Sequence, residues 1–518
     1  MLKRAVIDDC QLLIIGGSTA ALGAALSAAR YTQTCLLEPT DWIGGQLTTE
    51  SLAAPDFAWH KLTDGNFTLD VGAINRLLKN RNPLFSEFLI LAAILPTVNT
   101  IKKNLRVFYN TVIKHIEKDE NGRRIIGVDS IQRTAKTTHN NDNCRFLSEE
   151  LSDWYSRDES PWFTKTNLSF TQFQYVIEGS AWGEVLALAN VTYLQGLTEQ
   201  FDGDTSGIGN STCGQSFTFD FLEKLMDKPT DEPKNPLPDR GNYSLASYKW
   251  EQIWTYRRSN TTATDSNHVA QYDITTQNWG YGNDYQDEYF FLSINETQLQ
   301  LSDWKGGVNL NAIQGAEERA YGYHYWYRAN APEQWINHTI LLRQLNMTGT
   351  CHGLAKLPYL RESRRSIGID NFLMNITTIS GHARDLVGYI FDDRIAIGAY
   401  DVDIHSIAKC KYPPYIYQKY DILPFFIPLR SLTNRDIDNL IVVGKSIAQT
   451  FLVNAATRLH PIEFSVGQAG GVTAAYAILN EIRTTAELVA QHSDRIRNMV
   501  KIYTPTSWTI NGTLYPPS

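Results

Sequence analysis

A short run of small residues near the N-terminus has the composition of a turn that binds a dinucleotide pyrophosphate. Such a turn needs glycine where the backbone bends, little bulk where it meets the phosphates, and a small residue where the following helix packs on its strand. The first amides of that helix then bind the anion. An apolar run precedes the turn and an alanine-rich run follows it. This first glycine turn comprises Gly16, Gly17, Ser18, Thr19, Ala20 and Ala21.

Glu38 has the spacing of a carboxylate that binds a ribose hydroxyl. It ends the next apolar run, 22 residues after Gly16, and dinucleotide-binding folds carry an acidic residue about 20 residues beyond the first glycine. Ser18 replaces the usual second glycine, and alanine is tolerated at the position of Ala21. We predict dinucleotide binding, with a plain strand–turn–helix core as the alternative.

A second glycine pair follows closely and bears on the type of cofactor. Gly44 and Gly45, followed by Gln46, lie just beyond Glu38, and paired glycines let the backbone approach a ligand. A nicotinamide enzyme does not need this second glycine turn, whereas flavoproteins use such a pair to approach the cofactor. An ordinary turn is the alternative interpretation.

The segment Arg361-Glu362-Ser363-Arg364-Arg365 concentrates three arginines around one glutamate. A guanidinium fork matches a carboxylate or a polarised carbonyl, so Arg361 is a candidate substrate-binding residue. Neighbouring arginines cannot all face one site. The alternative is an internal salt-bridge network that joins two domains.

Histidine is the residue type best suited to take a proton while a hydride leaves the substrate, because its ordinary pKa is about 6.5. His405 is the first candidate for this base and His460 the second, since it lies near the late cofactor elements. For each of them a structural, hydrogen-bonded role is the alternative.

The sequence lacks the motifs typical of metal sites and of serine hydrolases. The sequence has no HxH, HExxH or CxxC spacing and no GxSxG, so we expect no catalytic metal and no serine hydrolase. The six cysteines are too few for a disulfide scaffold, and the closest two are 25 residues apart. We expect one or two disulfides at most.

The apolar pattern predicts the elements that position these residues. Strands are predicted at 10–15, within 31–38, at 105–109, 112–116 and 439–444, and a hairpin partner after Asn121-Gly122. Residues 174–190 read as strand, turn and helix, residues 312–329 and 463–482 as helices, and 200–310 as loop-rich.

Composition excludes some partners. The chain has 518 residues, a net charge of −8 and 43% hydrophobic residues, so it can bury a large core and has no basic surplus for nucleic acid. The longest apolar stretch, 88–98, contains Pro96 and is about half the length that a membrane span needs. We expect neither a nucleic-acid partner nor a membrane partner.

The sequence contains more N-glycosylation sequons than chance predicts. Its 34 asparagines and 75 serines and threonines give 11 sequons, against about five expected. An apolar segment near the N-terminus imitates a signal peptide. The same residues are better explained as the strand and helix on either side of the first glycine turn. We expect a cytoplasmic location by default, with a secretory history as the alternative. The sequon asparagines are Asn66, Asn167, Asn190, Asn210, Asn242, Asn260, Asn295, Asn337, Asn346, Asn375 and Asn511.

Taken together, the motifs resemble the FAD-dependent oxidoreductase family, whose fold is similar to glutathione-reductase-type flavoproteins and some of whose members carry the name xanthan lyase. The two glycine turns and the RESRR segment belong to this resemblance. So do YVIEGSAWGEVLALANV, AEERAYGYHYW and the long stretch from IPLRSLT to GGVTAA. These stretches occur in the order expected for the family, and together they span nearly the whole chain.

The resemblance implies roles for matching positions. Gly16, Ser18, Ala20 and Ala21 would hold the pyrophosphate and Glu38 the adenosine ribose, while Gly44, Gly45 and Gln46 would approach the ribityl and flavin end. Val112 would lie near adenine, and Gly467 would begin the helix whose N-terminus faces the flavin. Lys445 stands where related flavoproteins have an acidic residue. The predicted cofactor-binding set also includes Gly17, Thr19, Pro39, Gly444, Gln468 and Gly470.

The predicted fold class is α/β, a Rossmann-like FAD-binding domain with a parallel sheet and βαβ units, interleaved with an α+β substrate or cap domain. The expected boundaries are 1–200 and 426–490 for the FAD-binding domain, 201–425 for the cap and 491–518 for a C-terminal extension. We expect the cap to cover the flavin with Tyr321 and Tyr325.

The expected function is dehydrogenation of a small organic substrate by hydride transfer to flavin N5, with reoxidation by oxygen or a separate electron acceptor. A second dinucleotide fingerprint is absent from the sequence, so a built-in NAD(P)H domain is not expected. A flavin-assisted lyase or isomerase acting on a sugar or carboxylate, and a non-catalytic flavin-binding protein, are the alternatives.

Overall fold

The computed structural model describes residues 3–52, 103–136, 143–198, 210–263, 265, 267–345, 347–381, 385–410, 421–510 and 513–516. The apolar stretch 88–98 lies outside them. The strands are β1 Lys3–Ile7, β2 Leu12–Ile15, β3 Thr34–Leu37, β4 Leu105–Phe108, β5 Thr111–Lys118, β6 Ile125–Ala135, β7 Phe163–Thr171, β8 Tyr175–Glu178, β9 Tyr193–Leu194, β10 Phe217–Thr218, β11 Phe221–Leu225, β12 Arg258–Asn260, β13 Ile274–Gln277, β14 Asp284–Tyr285, β15 Thr339–Leu341, β16 Arg365–Ser366, β17 Arg394–Gly398, β18 Phe425–Pro428, β19 Leu440–Val442, β20 Trp508–Ile510 and β21 Thr513–Tyr515.

The helices are distributed along the described part of the chain. They are α1 Thr19–Ala28, α2 Leu147–Tyr155, α3 Glu184–Leu188, α4 Trp250–Tyr256, α5 Ile294–Leu299, α6 Leu310–Ala329, α7 Ile376–Ile379, α8 Phe451–Thr457, α9 His460–Leu479 and α10 Thr485–Val500. Short 3₁₀ turns occur at Gly45–Leu47, Glu333–Trp335, Ile369–Asn371, Leu429–Leu432 and Gly444–Ser446.

A parallel five-stranded sheet forms the centre of the molecule. Its order is β4–β3–β2–β8–β19, and every neighbouring pair is parallel. All residues of β2, β3 and β8 are buried, which agrees with the uninterrupted apolar runs that a sheet covered on both faces requires. Numbered along the chain within this sheet, the order is 3-2-1-4-5, which matches the first five strands of the dinucleotide-binding order 3-2-1-4-5-6. The predicted α/β class with a Rossmann-like sheet is confirmed, while the domain boundaries stay a prediction.

Helices α1 and α9 cross in close contact beside this sheet. A Cβ on Gly467 would lie 1.9 Å from the carbonyl oxygen of Ala20, and one on Gly471 would lie 2.2 Å from that of Ala24. Glycine at these positions therefore lets the two backbones touch. The prediction that Gly467 begins the helix is wrong, because α9 begins at His460. Pro461 in its first turn marks this start, since proline is tolerated there.

The described residues also form two four-stranded sheets. The mixed sheet β1–β7–β6–β5 contains the antiparallel pair β5 and β6, as the Asn121-Gly122 turn predicts. The antiparallel sheet β12–β13–β11–β15 lies in the middle of the chain. Three of its strands fall within 200–310, which the sequence pattern had presented as loop-rich. That interpretation was incomplete because these strands are only three to five residues long.

Three disulfides link the six cysteines, so the expectation of at most two was too low. The pairs are Cys10–Cys35, Cys144–Cys351 and Cys213–Cys410. Two of them join residues 207 and 197 positions apart, a pairing that sequence spacing cannot reveal. Asp9 lies beside the first pair, but both thiols there are used in the disulfide. The absence of a catalytic metal stays a prediction.

Among the described helices, none is both long enough and apolar enough to cross a membrane.

Candidate functional site

The two glycine turns contact each other directly. The amide of Gly44 donates to the carbonyl of Gly17 at 2.9 Å, and the Thr19 hydroxyl donates to the carbonyl of Gly44 at 2.8 Å. Gly16 has a φ of +93°, a conformation that glycine adopts without strain. The fold therefore brings the first and second glycine turns into one place.

The N-terminus of α1 points its free amides toward this junction. Ser18 is the N-cap, and its hydroxyl accepts from the amide of Ala21 at 3.2 Å. The amides of Thr19 and Ala20 have no acceptor among the described residues. Such a helix start, with its partial positive charge, favours a phosphate group.

A small, partly open cavity lies at the junction. Six residues of its lining belong to the predicted cofactor-binding set. The others come from the segment after β8, from the region that follows the second turn, and from Leu357. The lining residues are Gly16, Gly17, Ser18, Glu38, Pro39, Gly45, Thr49, Glu50, Ser180, Ala181, Trp182, Glu184 and Leu357.

Glu38 is held at the cavity by its own neighbours. Its carboxylate accepts from the amide and the hydroxyl of Thr40 at 2.7 and 2.8 Å, and a Cβ on Gly17 would lie 1.5 Å from its Oε2. Burial raises the pKa of Glu38 to about 8. The carbonyl of Glu38 accepts from the amide of Thr111 at 2.8 Å, which places Val112 beside it, at the start of β5.

A second group of polar side chains is buried beyond the turns. We name it the Lys445 cluster and define it as Gln46, Glu50, Lys445, His460 and Glu463. The ammonium of Lys445 lies 3.7 Å from Glu50 Oε2 and 3.4 Å from Glu463 Oε1, and all three side chains are at most 2% exposed. Gly444, with a φ of +69°, turns the chain beside Ala20 just before Lys445. The remaining late residues, Gln468 and Gly470, lie inside α9 rather than at its start.

Several polar atoms in the Lys445 cluster lack a hydrogen-bond partner within the described structure. They are Oε1 of Gln46, Oε2 of Glu50, Nζ of Lys445, Oε1 of Glu463 and both ring nitrogens of His460. The Gln46 amide donates to the carbonyl of Arg458 at 2.9 Å, which fixes its orientation. Buried polar groups of this kind are costly unless a ligand or water satisfies them.

The proton equilibria of the cluster follow from burial. Burial raises the pKa of Glu50 to about 7, although Lys445 opposes the shift. It also raises the pKa of Glu463. Burial, reinforced by the charge of Lys445, lowers the pKa of His460 to about 3, so this imidazole is neutral at physiological pH. The pKa of Lys445 is raised by Glu463 and Glu50 in spite of the opposing effect of burial.

Arg361 and His405 belong to a separate ionic network. Asp284 accepts from Arg361 at 2.8 Å and lies 2.9 Å from the His405 Nδ1. Asp403 lies 3.5 Å from the His405 Nε2 and 2.6 Å from Arg458. Although burial acts against it, Arg361 and His405 hold the pKa of Asp284 well below its ordinary value. Neither predicted residue lines the cavity, and the geometry favours the internal salt-bridge network that was the alternative for RESRR.

The other arginines of this segment also bind protein groups. Arg364 donates to the carbonyls of Trp182 and Gly307 at 3.0 and 2.5 Å, and Arg365 pairs with Glu362 at 3.3 Å. Because Trp182 lines the cavity, Arg364 supports its wall from behind. The segment organises the site rather than presenting three guanidinium groups to a substrate.

Tyr321 and Tyr325 do not line the cavity either. The hydroxyl of Tyr321 donates to the carbonyl of His352, and that of Tyr325 donates to the carbonyl of Pro233. The expectation that they cover the flavin stays a prediction.

The structure adds site residues that the sequence interpretation missed. Glu50 and Glu463 were overlooked because glutamates are usually exposed, and only folding shows that both are buried. Ser180, Ala181 and Trp182 follow β8 at the carboxyl edge of the sheet, where ligands of such folds bind. Their position after a predicted strand was the available signal.

A comparison with protein-family models shows which family the chain belongs to. The model of the family described as FAD dependent oxidoreductase matches residues 11–141 and 162–495. The chain belongs to this family. Its cofactor is FAD, as the two glycine turns and the resemblance predicted.

The chain is also similar to several solved structures at low sequence identity. A variant of quinol fumarate reductase FrdA from E. coli is 12% identical with a TM-score of 0.29, and the match covers 96% of this chain and 75% of that one. The p-nitrophenol 4-monooxygenase PnpA from Pseudomonas putida DLL-E4 is 10% identical with a TM-score of 0.27, covering 97% and 87%. The L-proline dehydrogenase from P. horikoshii is 14% identical with a TM-score of 0.19, and the match covers 35% of this chain and 24% of that one. The search of curated proteins gave no match.

The described residues fit FAD by their chemistry. The free amides of α1 suit a pyrophosphate, and Glu38 suits a ribose hydroxyl. The unpartnered atoms of Gln46 and His460 match the donors and acceptors that a flavin ring presents. Which of these residues contact the cofactor stays a prediction.

Proposed function

We propose that this protein oxidises a small organic substrate between the two glycine turns and the Lys445 cluster, and that the electrons leave to oxygen or a separate acceptor. The position of Glu50 supports this proposal most. Glu50 lines the cavity and lies 3.7 Å from Lys445. The predicted cofactor-binding turns and the buried ionisable groups therefore meet at one side chain.

When bound, FAD supplies the acceptor for the two electrons, a hydride equivalent, that the substrate loses. The chain supplies the binding groups. We assign the pyrophosphate to the α1 N-terminus and the ribose to Glu38, and the backbone of Gly44 and Gly45 to the more distant end of the cofactor. These assignments rest on the free amides and on the contact between the two turns.

Glu50 is the proposed acceptor of the substrate proton. A base works best when its pKa lies near the working pH, and burial raises the pKa of Glu50 to about 7. Its Oε2 has no hydrogen-bond partner among the described residues. Lys445 stabilises the ionised form of Glu50.

The three histidine and arginine candidates suit this role less well. Both ring nitrogens of His405 lie next to carboxylates, and Arg361 is engaged by Asp284. His460 borders the Lys445 cluster, but a pKa of about 3 makes it a weak base. We propose that His460 acts as a neutral hydrogen-bonding group toward the bound molecules.

Anaerobic reduction of the flavin tests the proposal. Small carboxylates and sugars are mixed with the holoenzyme without oxygen, and the loss of flavin absorbance is recorded. We expect at least one compound to bleach the wild type and the control Glu333→Gln, an exposed glutamate. The same compound should bleach Glu50→Gln about 10²–10⁴-fold more slowly.

Other outcomes of this experiment would contradict the proposal. Product formation without bleaching or oxygen uptake would support the lyase or isomerase alternative. Binding of compounds without any turnover would support a non-catalytic flavin protein. Equal bleaching rates in wild type and Glu50→Gln would remove Glu50 from the reaction while leaving oxidation of the substrate in place.

A further inference from the structure

All six cysteines are paired in the structure. The Cα atoms of Cys144 and Cys351 are 4.6 Å apart, and those of Cys213 and Cys410 are 5.6 Å apart, within the range that a disulfide needs. Each of these two pairs joins segments about 200 residues apart along the chain. Disulfides persist in oxidising compartments and are rare in the cytosol, so the complete pairing indicates an oxidising environment.

The sequons give an independent observation that points to the same environment. Seven of the 11 sequon asparagines have described side chains, and five of these are exposed while the other two are half-buried. The five occur in five separate segments, so glycans on them would not crowd one another along the chain. The exposed sequon asparagines are Asn190, Asn242, Asn295, Asn337 and Asn375.

The local geometry of Asn375 is compatible with a glycan. Its Oδ1 accepts from the amide and the hydroxyl of Thr377 at 3.1 and 2.6 Å, and it caps α7. The glycan would be attached to the other atom of the amide, Nδ2, so these hydrogen bonds would remain. Asn337 likewise uses Oδ1, which accepts from Arg328 at 3.3 Å.

Asn167 differs from these five. It lies in β7, which is an inner strand between β1 and β6, and its Oδ1 is buried. A glycan at this position would have to pass between packed strands, so the folded protein should carry none there.

We propose that this protein matures in an oxidising compartment that attaches N-linked glycans, and that the five exposed sequon asparagines are the acceptors. The Nδ2 of each asparagine forms a bond to the first carbon of an oligosaccharide carried on a lipid pyrophosphate. The bond from that carbon to the pyrophosphate breaks, and one Nδ2 proton is released. In disulfide formation each thiol pair gives two electrons and two protons to a disulfide donor, which becomes a dithiol.

The test uses the full-length protein isolated from its natural source. Peptide N-glycosidase in heavy-oxygen water converts each glycosylated asparagine into a labelled aspartate, which peptide mass spectrometry locates. We expect label at most of the five exposed sequons and none at Asn167, and no alkylation of thiols in denatured, unreduced protein. Unlabelled asparagine at most of the five, or six alkylated thiols, would overturn the proposal.

A pair of variants made in the same source sharpens the result. Asn295→Gln should lower the mass of the intact protein by one glycan. Asn267→Gln changes an exposed asparagine outside any sequon and should leave the glycan mass unchanged. An unchanged glycan mass in Asn295→Gln would contradict the assignment of this site.

Discussion

Buried carboxyl groups carry much of the chemistry that the site can perform. Burial raises the pKa of Glu38 and of Glu178 to about 8 and that of Glu50 to about 7. Glu178 is held by Ser180, whose amide and hydroxyl both donate at 2.6 Å, so its role is to shape the turn after β8. Glu50 has no such donor on its Oε2, which lies 3.7 Å from the Lys445 ammonium, and this is the oxygen that we propose takes the substrate proton.

Arg361 provides a test of structural against catalytic roles. Arg361→Met would leave Asp284 buried without its guanidinium partner, with His405 and the Ser216 hydroxyl remaining, and removing one partner of a buried pair costs about 3–5 kcal/mol. We expect urea unfolding to show a loss of this size, and about 0–1 kcal/mol for Arg435→Met, which breaks a partly exposed ion pair. Unchanged stability together with lost flavin reduction in Arg361→Met would instead support a catalytic arginine.

Single residues also show where sequence analysis succeeds and where it stops. Glu38 could be predicted because the distance from Gly16 is fixed by one helix and one strand. The cluster of Glu50, Lys445 and Glu463 could not be predicted. Folding brings Glu50 to Lys445 and Glu463, which lie about 400 residues later in the chain. In the sequence, Lys445 departs from the acidic residue of related flavoproteins. In the structure it lies beside two buried carboxylates, those of Glu50 and Glu463.

At the level of elements, the strand–turn–helix unit from β2 to α1 determines how the cofactor is held. A Cβ on Gly16 would lie 2.3 Å from the Cα of Ser180, and the positive φ of Gly16 disfavours any other residue. Gly16 therefore serves both the turn and its contact with the segment after β8.

We expect Gly16→Val to abolish FAD retention for this reason. The flavin content of the purified protein, measured from absorbance after denaturation, checks the prediction. Gly280→Ala is the matched control, because a Cβ there meets its nearest atom at 3.8 Å, and it should retain FAD fully. Full FAD content in Gly16→Val would contradict the placement of the pyrophosphate.

Elements formed by long, continuous apolar runs were predictable, and those defined by contacts were not. The runs at β2, β3 and β8 allowed the parallel sheet to be predicted because a strand buried on both faces has no polar side. The start of α9 was placed too late, since its glycines resembled a turn but serve contact with α1. The strands β11 and β13 were missed because short strands carry little periodic signal.

At the level of the whole molecule, buried ionisable groups make the free energy of unfolding depend on pH. Glu38, Glu178 and Glu317 have pKa values raised by burial to about 8 from the ordinary 4.5. Between pH 6.5 and 8 the folded state therefore binds more protons than the unfolded state, and the free energy of unfolding falls as pH rises. His324 and His460, with pKa values lowered to about 3, contribute below pH 6.5 and in the opposite direction.

Glu317 isolates this effect from the cofactor site. It accepts from the amide of Ser148 at 3.1 Å and from its hydroxyl, away from the cavity lining. We expect the difference in free energy of unfolding between pH 6.5 and 8 to be smaller in Glu317→Gln than in the wild type, and unchanged in Glu333→Gln. Denaturant unfolding of the apoprotein at the two pH values measures it. An equal difference in all three proteins would contradict the raised pKa.

The most direct test of the account is the pH dependence of anaerobic flavin reduction by a substrate found in the screen. If Glu50 takes the substrate proton, the rate in the wild type rises with pH through about 7, as the carboxyl ionises. The rate in Glu50→Gln is then about 10²–10⁴-fold lower and lacks this rise. A Glu50→Gln enzyme with the wild-type rate and the same pH profile would contradict the central claim that the substrate is oxidised beside Glu50.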